Sequence, residues 1–234
     1  MNRPDRKICT AEDPVEITQP GLQQLQVKPK IGLTFASALR AFLRADPDVI
    51  LIGEMRDTET ANVAIEASLT GHMVLSTLHT NSAPETIARL LDLGLDPVNF
   101  SDCLLGILAQ RLMRTLCVNC CESYQPDDRE LTHLVETYGK DQFTELSKEL
   151  MNAKLNRAVG CEECSGTGYR GRVGVHELLV CTPHIQSLIY ERASLEEIKA
   201  QAMRDGMRSL KQDAIGKIFM GLSDYQQMLD VVVE

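Results

Sequence analysis

The sequence predicts an α/β fold. A parallel sheet flanked by helices is expected over residues 1–100, then a connecting helix over 101–116, a four-cysteine subdomain with a charged helical insertion over 117–168, and a helical C-terminal region over 169–234. Three observations carry this. Val49-Ile50-Leu51-Ile52 is an apolar run that stops at Gly53 and a carboxylate, the pattern of a strand buried on both faces of a parallel sheet. Strand and helix patterns alternate up to Gly94, as a parallel sheet with crossover helices requires. Cys117-Val118-Asn119-Cys120 and Cys161-Glu162-Glu163-Cys164 repeat one short thiol spacing.

The elements follow in order. Ile8 to Ala11 forms a short strand before Glu12-Asp13-Pro14-Val15-Glu16, and Pro14, Pro20 and Pro29 break residues 17–30 into turns and short extended pieces. Thr34 is the expected N-cap of a helix carrying Phe35, Ala38, Leu39, Phe42 and Leu43 at helical spacing. Asp46-Pro47 ends that helix and leads into the Val49 strand. Thr58 is expected to cap a second helix, with Gly71 at its C-terminal turn. His72 to Thr77 reads as another buried strand. Ser82 and Glu85 form a capping box, and Gly94 closes that helix. Leu104, Leu105, Ile107, Leu108, Leu112 and Met113 suggest a helix to Cys117, and Glu122 to Arg157 is charged and helical in pattern. Ser194 and Glu197 make a second capping box in a mostly helical remainder.

Bulk properties narrow the function. The 234 residues are 44% hydrophobic, enough for a sizeable core and a smaller satellite. No export signal opens the chain and no apolar run is long enough to span a bilayer, which predicts a soluble, cytoplasmic protein. A formal net charge of -9 argues against wide contact with a nucleic-acid backbone, and 4% aromatics against stacking of single strands. Eight cysteines without an export signal point to reduced thiols.

Two CxxC turns suit a tetrahedral zinc ion held by Cys117, Cys120, Cys161 and Cys164, a closed and therefore structural site. A redox pair is the weaker reading, because no βαβ pattern precedes either turn. Cys121 neighbours the set, and Cys9, Cys103 and Cys181 read as buried spectators. Ligands in parallel sheets sit beyond the carboxyl ends of the strands, so Glu54 stands where a nucleotide and its Mg²⁺ would bind. Glu12 and Asp13 follow the first strand in the same way. His72 and His79 bracket a strand with Ser76, Thr77, Thr80 and Asn81, a polar set suited to sensing phosphate, with His79 the better placed for contact.

Together these segments resemble the secretion and pilus motor ATPases, namely the type II secretion ATPase and the type IV pilus assembly ATPase. Thr10 to Glu16 looks like the family's Asp box, Asp46 to Asp57 like its Walker B box and Thr70 to Asn81 like its His box. The paired CxxC turns, with Gly166 to Glu177, look like the metal-binding subdomain of assembly-type members. The resemblance implies a RecA-like sheet in a cytoplasmic hexameric ring, peripheral to the inner membrane. Such a ring hydrolyses ATP at subunit interfaces and drives a membrane platform protein alongside a membrane-anchored adaptor. It implies that Glu54 acts on Mg²⁺ or the attacking water and that Glu12, with Asp13 beside it, is a second catalytic carboxylate. Likewise His72 and His79 couple phosphate state to movement, and Arg56 helps hold the Walker B turn.

The departure from the family pattern is the phosphate-cradling loop. No G-x-x-x-x-G-K-[ST] occurs, and the two Gly-Lys pairs, Gly139-Lys140-Asp141 and Gly216-Lys217-Ile218, lack the following Ser or Thr. The chain therefore reads as the C-terminal part of a motor, with little or no ATPase activity of its own. The competing readings are a non-hydrolytic, zinc-stapled interaction module that keeps only the family's fold, and a RecA-like nucleic-acid motor, which the net charge disfavours.

Overall fold

The structure is a computed structural model that describes residues 2–140, 143 and 154–231. In chain order the described strands are β1 (Ile8–Glu12), β2 (Leu22–Gln26), β3 (Val49–Ile52), β4 (Met73–Ser76), β5 (Gly106–Leu116), β6 (Glu122–Tyr124), β7 (Leu155–Arg157) and β8 (Tyr169–Val180). The described helices are α1 (Phe35–Phe42), α2 (Thr58–Leu69), α3 (Ala83–Asp92), α4 (Pro97–Cys103), α5 (Asp128–Tyr138), α6 (Pro183–Tyr190), α7 (Leu195–Arg204), α8 (Leu210–Phe219) and α9 (Tyr225–Val231). They form two compact units, Met1–Ile107 with Val180–Ala202, and Leu108–Leu179 with Met203–Glu234.

The first unit is α/β. Its sheet runs in the order β2-β1-β3-β4 with every neighbouring pair parallel. The two inner strands are those with nearly unbroken burial, Ile8 to Ala11 in β1 and Val49, Ile50 and Ile52 in β3. Cys9, Ala11, Ile50 and Ile52 share a core with Ala38, Leu39 and Phe42 of α1 and Val63, Ala64 and Ala67 of α2. Each fully buried Ile or Leu here contributes roughly 1.5–3 kcal/mol relative to an exposed one. Thr34 caps α1 as expected, in a reciprocal box with Ser37: its side chain accepts the Ser37 N–H at 3.2 Å, and Ser37 Oγ accepts the Thr34 N–H at 2.8 Å. The cap of α2 is Asp57 rather than Thr58. Asp57 Oδ1 accepts the Thr60 N–H at 2.7 Å, while the Thr58 hydroxyl donates to Leu93 O. β4 was expected to be buried but is an edge strand, paired on one side only. Met73 and Leu75 are each 37% exposed.

The second unit pairs β5 with β8 and β6 with β7, the latter antiparallel from Glu122↔Arg157 to Tyr124↔Leu155. Its core joins Met113 of β5, Leu134 and Tyr138 of α5, Leu155 of β7, Val175 of β8, Leu210, Ala214, Ile215 and Ile218 of α8, and Met228 of α9.

Two expectations need correction here. The connecting helix over 101–116 is not one element, because α4 ends at Cys103 and residues 106–116 are strand β5. Its apolar residues lie on both faces of the strand. Leu108 and Leu112 are exposed while Met113 is buried, and that mixture imitates helical spacing. Residues 169–180, expected within a helical region, are strand β8. Val173, Val175 and Val180 favour a strand, and Gly171 and Gly174 disfavour a helix. The expected helical insertion of 122–157 contains β6, α5 and β7. Residues 141, 142 and 144–153, part of that same expectation, lie outside the described residues.

Candidate functional site

Glu54 is placed by the strand before it. The Gly53 N–H donates to Ala11 O at 2.7 Å, extending the β1–β3 ladder one step past Ile52. A Cβ on Gly53 would stand 3.2 Å from Ala11 O and 3.5 Å from Glu12 Cα, so a residue with no side chain lets the two strand ends close up. On the other side the Met55 N–H donates to Thr77 O at 3.1 Å, and the Thr77 hydroxyl donates to Gly53 O. The turn that carries Glu54 is thus pinned between the ends of β1 and β4.

The carboxylate itself is buried, with the residue 9% exposed. Its Oε2 lies 2.5 Å from Arg56 Nε and 3.4 Å from His79 Nε2, yet neither side chain is aligned for a hydrogen bond. Leaving a buried acceptor without a donor costs about 1–3 kcal/mol. Screening by water weakens the Arg56 ion pair and the His79 contact, because those side chains are 68% and 85% exposed. An under-bonded carboxylate oxygen facing exposed cationic or N–H-bearing groups suits a divalent cation or an ordered water on one side and an anion on the other.

Glu12 ends β1 at the same rim, on the strand adjacent to β3. Its Oε1 accepts from Thr10 Oγ1 at 2.5 Å and from Gln24 Nε2 of β2 at 3.0 Å. Asp13 follows it, exposed, ahead of Pro14. His72 is elsewhere: it precedes β4, at the opposite end of that strand from His79. Its Nδ1 lies 3.1 Å from Ala67 O and 3.2 Å from Thr70 Oγ1, at the end of α2. The structure therefore brings Glu54, Arg56 and His79 into contact, sets Glu12 and Asp13 at the same rim, and leaves His72 apart. The sequence reading missed Thr10 and Gln24, which hold Glu12. Thr10 stands two residues before Glu12, the spacing that puts both on one face of a strand, and this was the available signal.

In the second unit the four predicted cysteines meet. The ligand sulfurs of Cys117, Cys120, Cys161 and Cys164 all lie within 4.8 Å of one another. Sγ–Sγ distances are 3.9 Å for Cys117–Cys161 and 3.8 Å for both Cys120–Cys164 and Cys161–Cys164. Four sulfurs about 2.3 Å from a central ion at tetrahedral angles lie about 3.8 Å apart, whereas a disulfide needs about 2.05 Å. The donor set therefore fits a metal ion and no disulfide links it. Backbone amides prepare it: the N–H groups of Cys161 and Gly168 both donate to Cys164 Sγ at 3.1 Å. The Cys161 N–H, followed by that of Gly168, brings the Cys164 thiol down to about 6. Burial, with the neighbouring thiols, pushes Cys120 up to about 12. Four thiolates this close would repel one another, a repulsion that a bound cation would relieve.

Over residues 1–230 the chain matches the family described as type II/IV secretion system protein. The chain belongs to that family. It is 46% identical over 231 residues to the type IV pilus assembly ATPase PilB of Thermus thermophilus, covering 99% of this chain and 25% of that protein. It is 43% identical to the type II secretion system ATPase E of Vibrio cholerae, covering 100% of this chain and 44% of the relative. The chain thus spans less than half the length of these curated relatives. Among solved structures it is similar to the pilus retraction motor PilT with bound ADP. That match has 27% identity and a TM-score of 0.62, and covers 96% of this chain and 52% of PilT. As a type II/IV secretion system protein, it has relatives named as ATPases on both the secretion and the pilus side. Among the described residues no helix is long and apolar enough to cross a membrane.

Proposed function

We propose that this chain supplies the acid-bearing, RecA-like part of a motor ATPase that drives pilus assembly or type II secretion. One observation carries the reading: Glu54 Oε2 is buried without a hydrogen bond at the carboxyl end of a buried parallel strand, with Arg56 and His79 beside it. In this reading Glu54 orients the attacking water or serves as an oxygen ligand toward Mg²⁺. Glu12, oriented by Thr10 and Gln24, is the second carboxylate of the rim, with Asp13 next to it. Arg56 and His79 present N–H groups to phosphate, and His72, at the other end of β4, couples phosphate state to movement from a distance. Mg²⁺, when bound with ATP, neutralises charge on the phosphates. The four cysteines hold zinc as a staple, because a closed four-thiolate shell leaves no position for a substrate. The family resemblance supports a hexameric ring on the cytoplasmic side of the inner membrane, working on a platform protein and a membrane-anchored adaptor.

Phosphoryl transfer rests almost wholly on positioning and charge stabilisation. These 234 residues contain no G-x-x-x-x-G-K-[ST], so this chain alone is expected to turn over little or no ATP. A longer chain that carries such a loop ahead of residue 1 is expected to hydrolyse ATP with Mg²⁺ and to lose at least about 100-fold in kcat with Glu54→Gln. Steady-state phosphate release measures both. Undiminished turnover by Glu54→Gln would overturn the role of Glu54, and no turnover by the longer wild-type chain would favour a non-hydrolytic interaction module.

A further inference from the structure

Ser223-Asp224, ahead of α9, is polar and buried. Ser223 is 0%, Asp224 5% and Gln227 7% exposed. Buried polar groups persist where they are hydrogen-bonded, and a buried carboxylate most of all. Asp224 uses both oxygens. Oδ1 accepts the Gln227 N–H at 3.0 Å; Oδ2 accepts the Tyr169 O–H at 2.7 Å and the Ala158 N–H at 3.3 Å. Its neighbours grip the strand that leads into the first CxxC turn. Ser223 Oγ donates to Arg114 O at 2.8 Å, Gln227 Oε1 accepts the Arg114 N–H at 3.1 Å, and the Leu116 N–H donates to Leu222 O at 3.0 Å.

Ala158 and Tyr169 are the residues by which the chain enters and leaves the second CxxC loop. Gly168, bonded to Tyr169, donates its N–H to Cys164 Sγ and accepts the Cys117 N–H on its carbonyl at 2.9 Å. The loop's neck is tight. Gly168 has a φ of +77°, and a Cβ there would fall 2.6 Å from Ala158 Cβ. Asp224 bolts this neck from a position 55 residues after Tyr169 and 66 after Ala158.

We infer that Asp224 is a positioning residue for the four-cysteine metal centre, holding the neck of the second loop closed through Ala158 and Tyr169. The inference rests on the metal reading above. Glu and Asp partners behind metal ligands typically govern affinity 10- to 100-fold; since Asp224 acts one residue further out, the lower end is expected.

The test is zinc transfer from the purified chain to a chromophoric chelator, well below the unfolding temperature. Asp224→Asn keeps the shape but offers one acceptor oxygen in place of two, so the N–H groups of Gln227 and Ala158 cannot both be accepted. It is expected to bind zinc about tenfold more weakly, and Tyr169→Phe a few-fold more weakly. Ser209→Ala is the control. It removes the cap of α8, where Ser209 Oγ accepts the Gln212 N–H at 3.2 Å, and is expected to lower stability with zinc affinity unchanged. Wild-type affinity in both Asp224→Asn and Tyr169→Phe overturns the inference while leaving the metal reading intact. So does an equal loss in Ser209→Ala, since the effect would then be general destabilisation. If Asp224→Asn does not fold, Tyr169→Phe against Ser209→Ala decides by the same criterion. A wild-type chain that takes up no zinc removes the metal reading and the inference with it.

Discussion

The rim around Glu54 and the four-cysteine centre meet the same physical problem, charge taken out of water, in opposite ways. At the cysteines the donors close on one another at the spacing of a tetrahedral shell, and backbone amides already bond Cys164 Sγ. At the rim the buried Glu54 oxygen has no hydrogen bond, and the Arg56 and His79 side chains beside it are mostly exposed. The first arrangement is complete once an ion is added, which suits a staple. The second leaves a carboxylate oxygen without a protein hydrogen bond, which suits a place where something binds and leaves.

The sharpest way to break this contrast is to remove one thiol. Cys164→Ser is expected to take zinc from one per chain to none by elemental analysis, while Glu54→Gln leaves the stoichiometry at one. Zinc retained in full by Cys164→Ser would mean that the sulfurs do not form the shell. A smaller effect should follow metal removal in the unaltered chain. With a strong chelator, amides of residues 115–124 and 155–170 are expected to exchange with deuterium at least about tenfold faster, and those of β1 and β3 to be unchanged. Equal acceleration in both regions would show that the staple supports the sheet too.

The smallest expected effect is a pH response at the neck of the metal loop. Burial, then the hydrogen bond to Asp224, raises Tyr169 above the usual tyrosine value of about 10. A raised folded-state value favours the protonated form. The O–H bond to Asp224 therefore contributes fully below about pH 10, and its contribution is lost as pH rises through the folded-state value. Tyr169→Phe is expected to flatten that part of the alkaline stability curve in a thermal melt. An unchanged slope would place the titration elsewhere.

What could be read from the chain was what is local or repeats a chemical spacing. The Val49–Ile52 strand, the Thr34 cap, the Ser194–Glu197 box and the paired CxxC turns each lie within a few residues of chain. Glu197 Oε2 accepts the Ser194 N–H at 2.9 Å, as that box demands. β5 escaped because a strand with apolar residues on both faces imitates helical spacing when its exposed Leu108 and Leu112 are counted as core. The partners of the acids escaped for another reason. Gln24 reaches Glu12 only because β2 pairs with β1, and Asp224 reaches Tyr169 only across a folded unit. His72 and His79 bracket one strand, and the preference for His79 follows from the polarity of a parallel strand, which gives its two ends different neighbours.

The pairing of β1 with β3 has a mechanical consequence. β1 is bonded along both backbone edges, to β2 and to β3, and Ala11 stands opposite Ile52. Slipping that register by one residue would turn every side chain of the strand over, exchanging core for surface. The backbone span between the two acids is therefore gauged like the jaws of a locked calliper. The connections 13–21 and 27–48 lie outside the jaws. Any movement at this rim must come from side chains and from the turn beyond Gly53, while the strands that carry the acids move as one block.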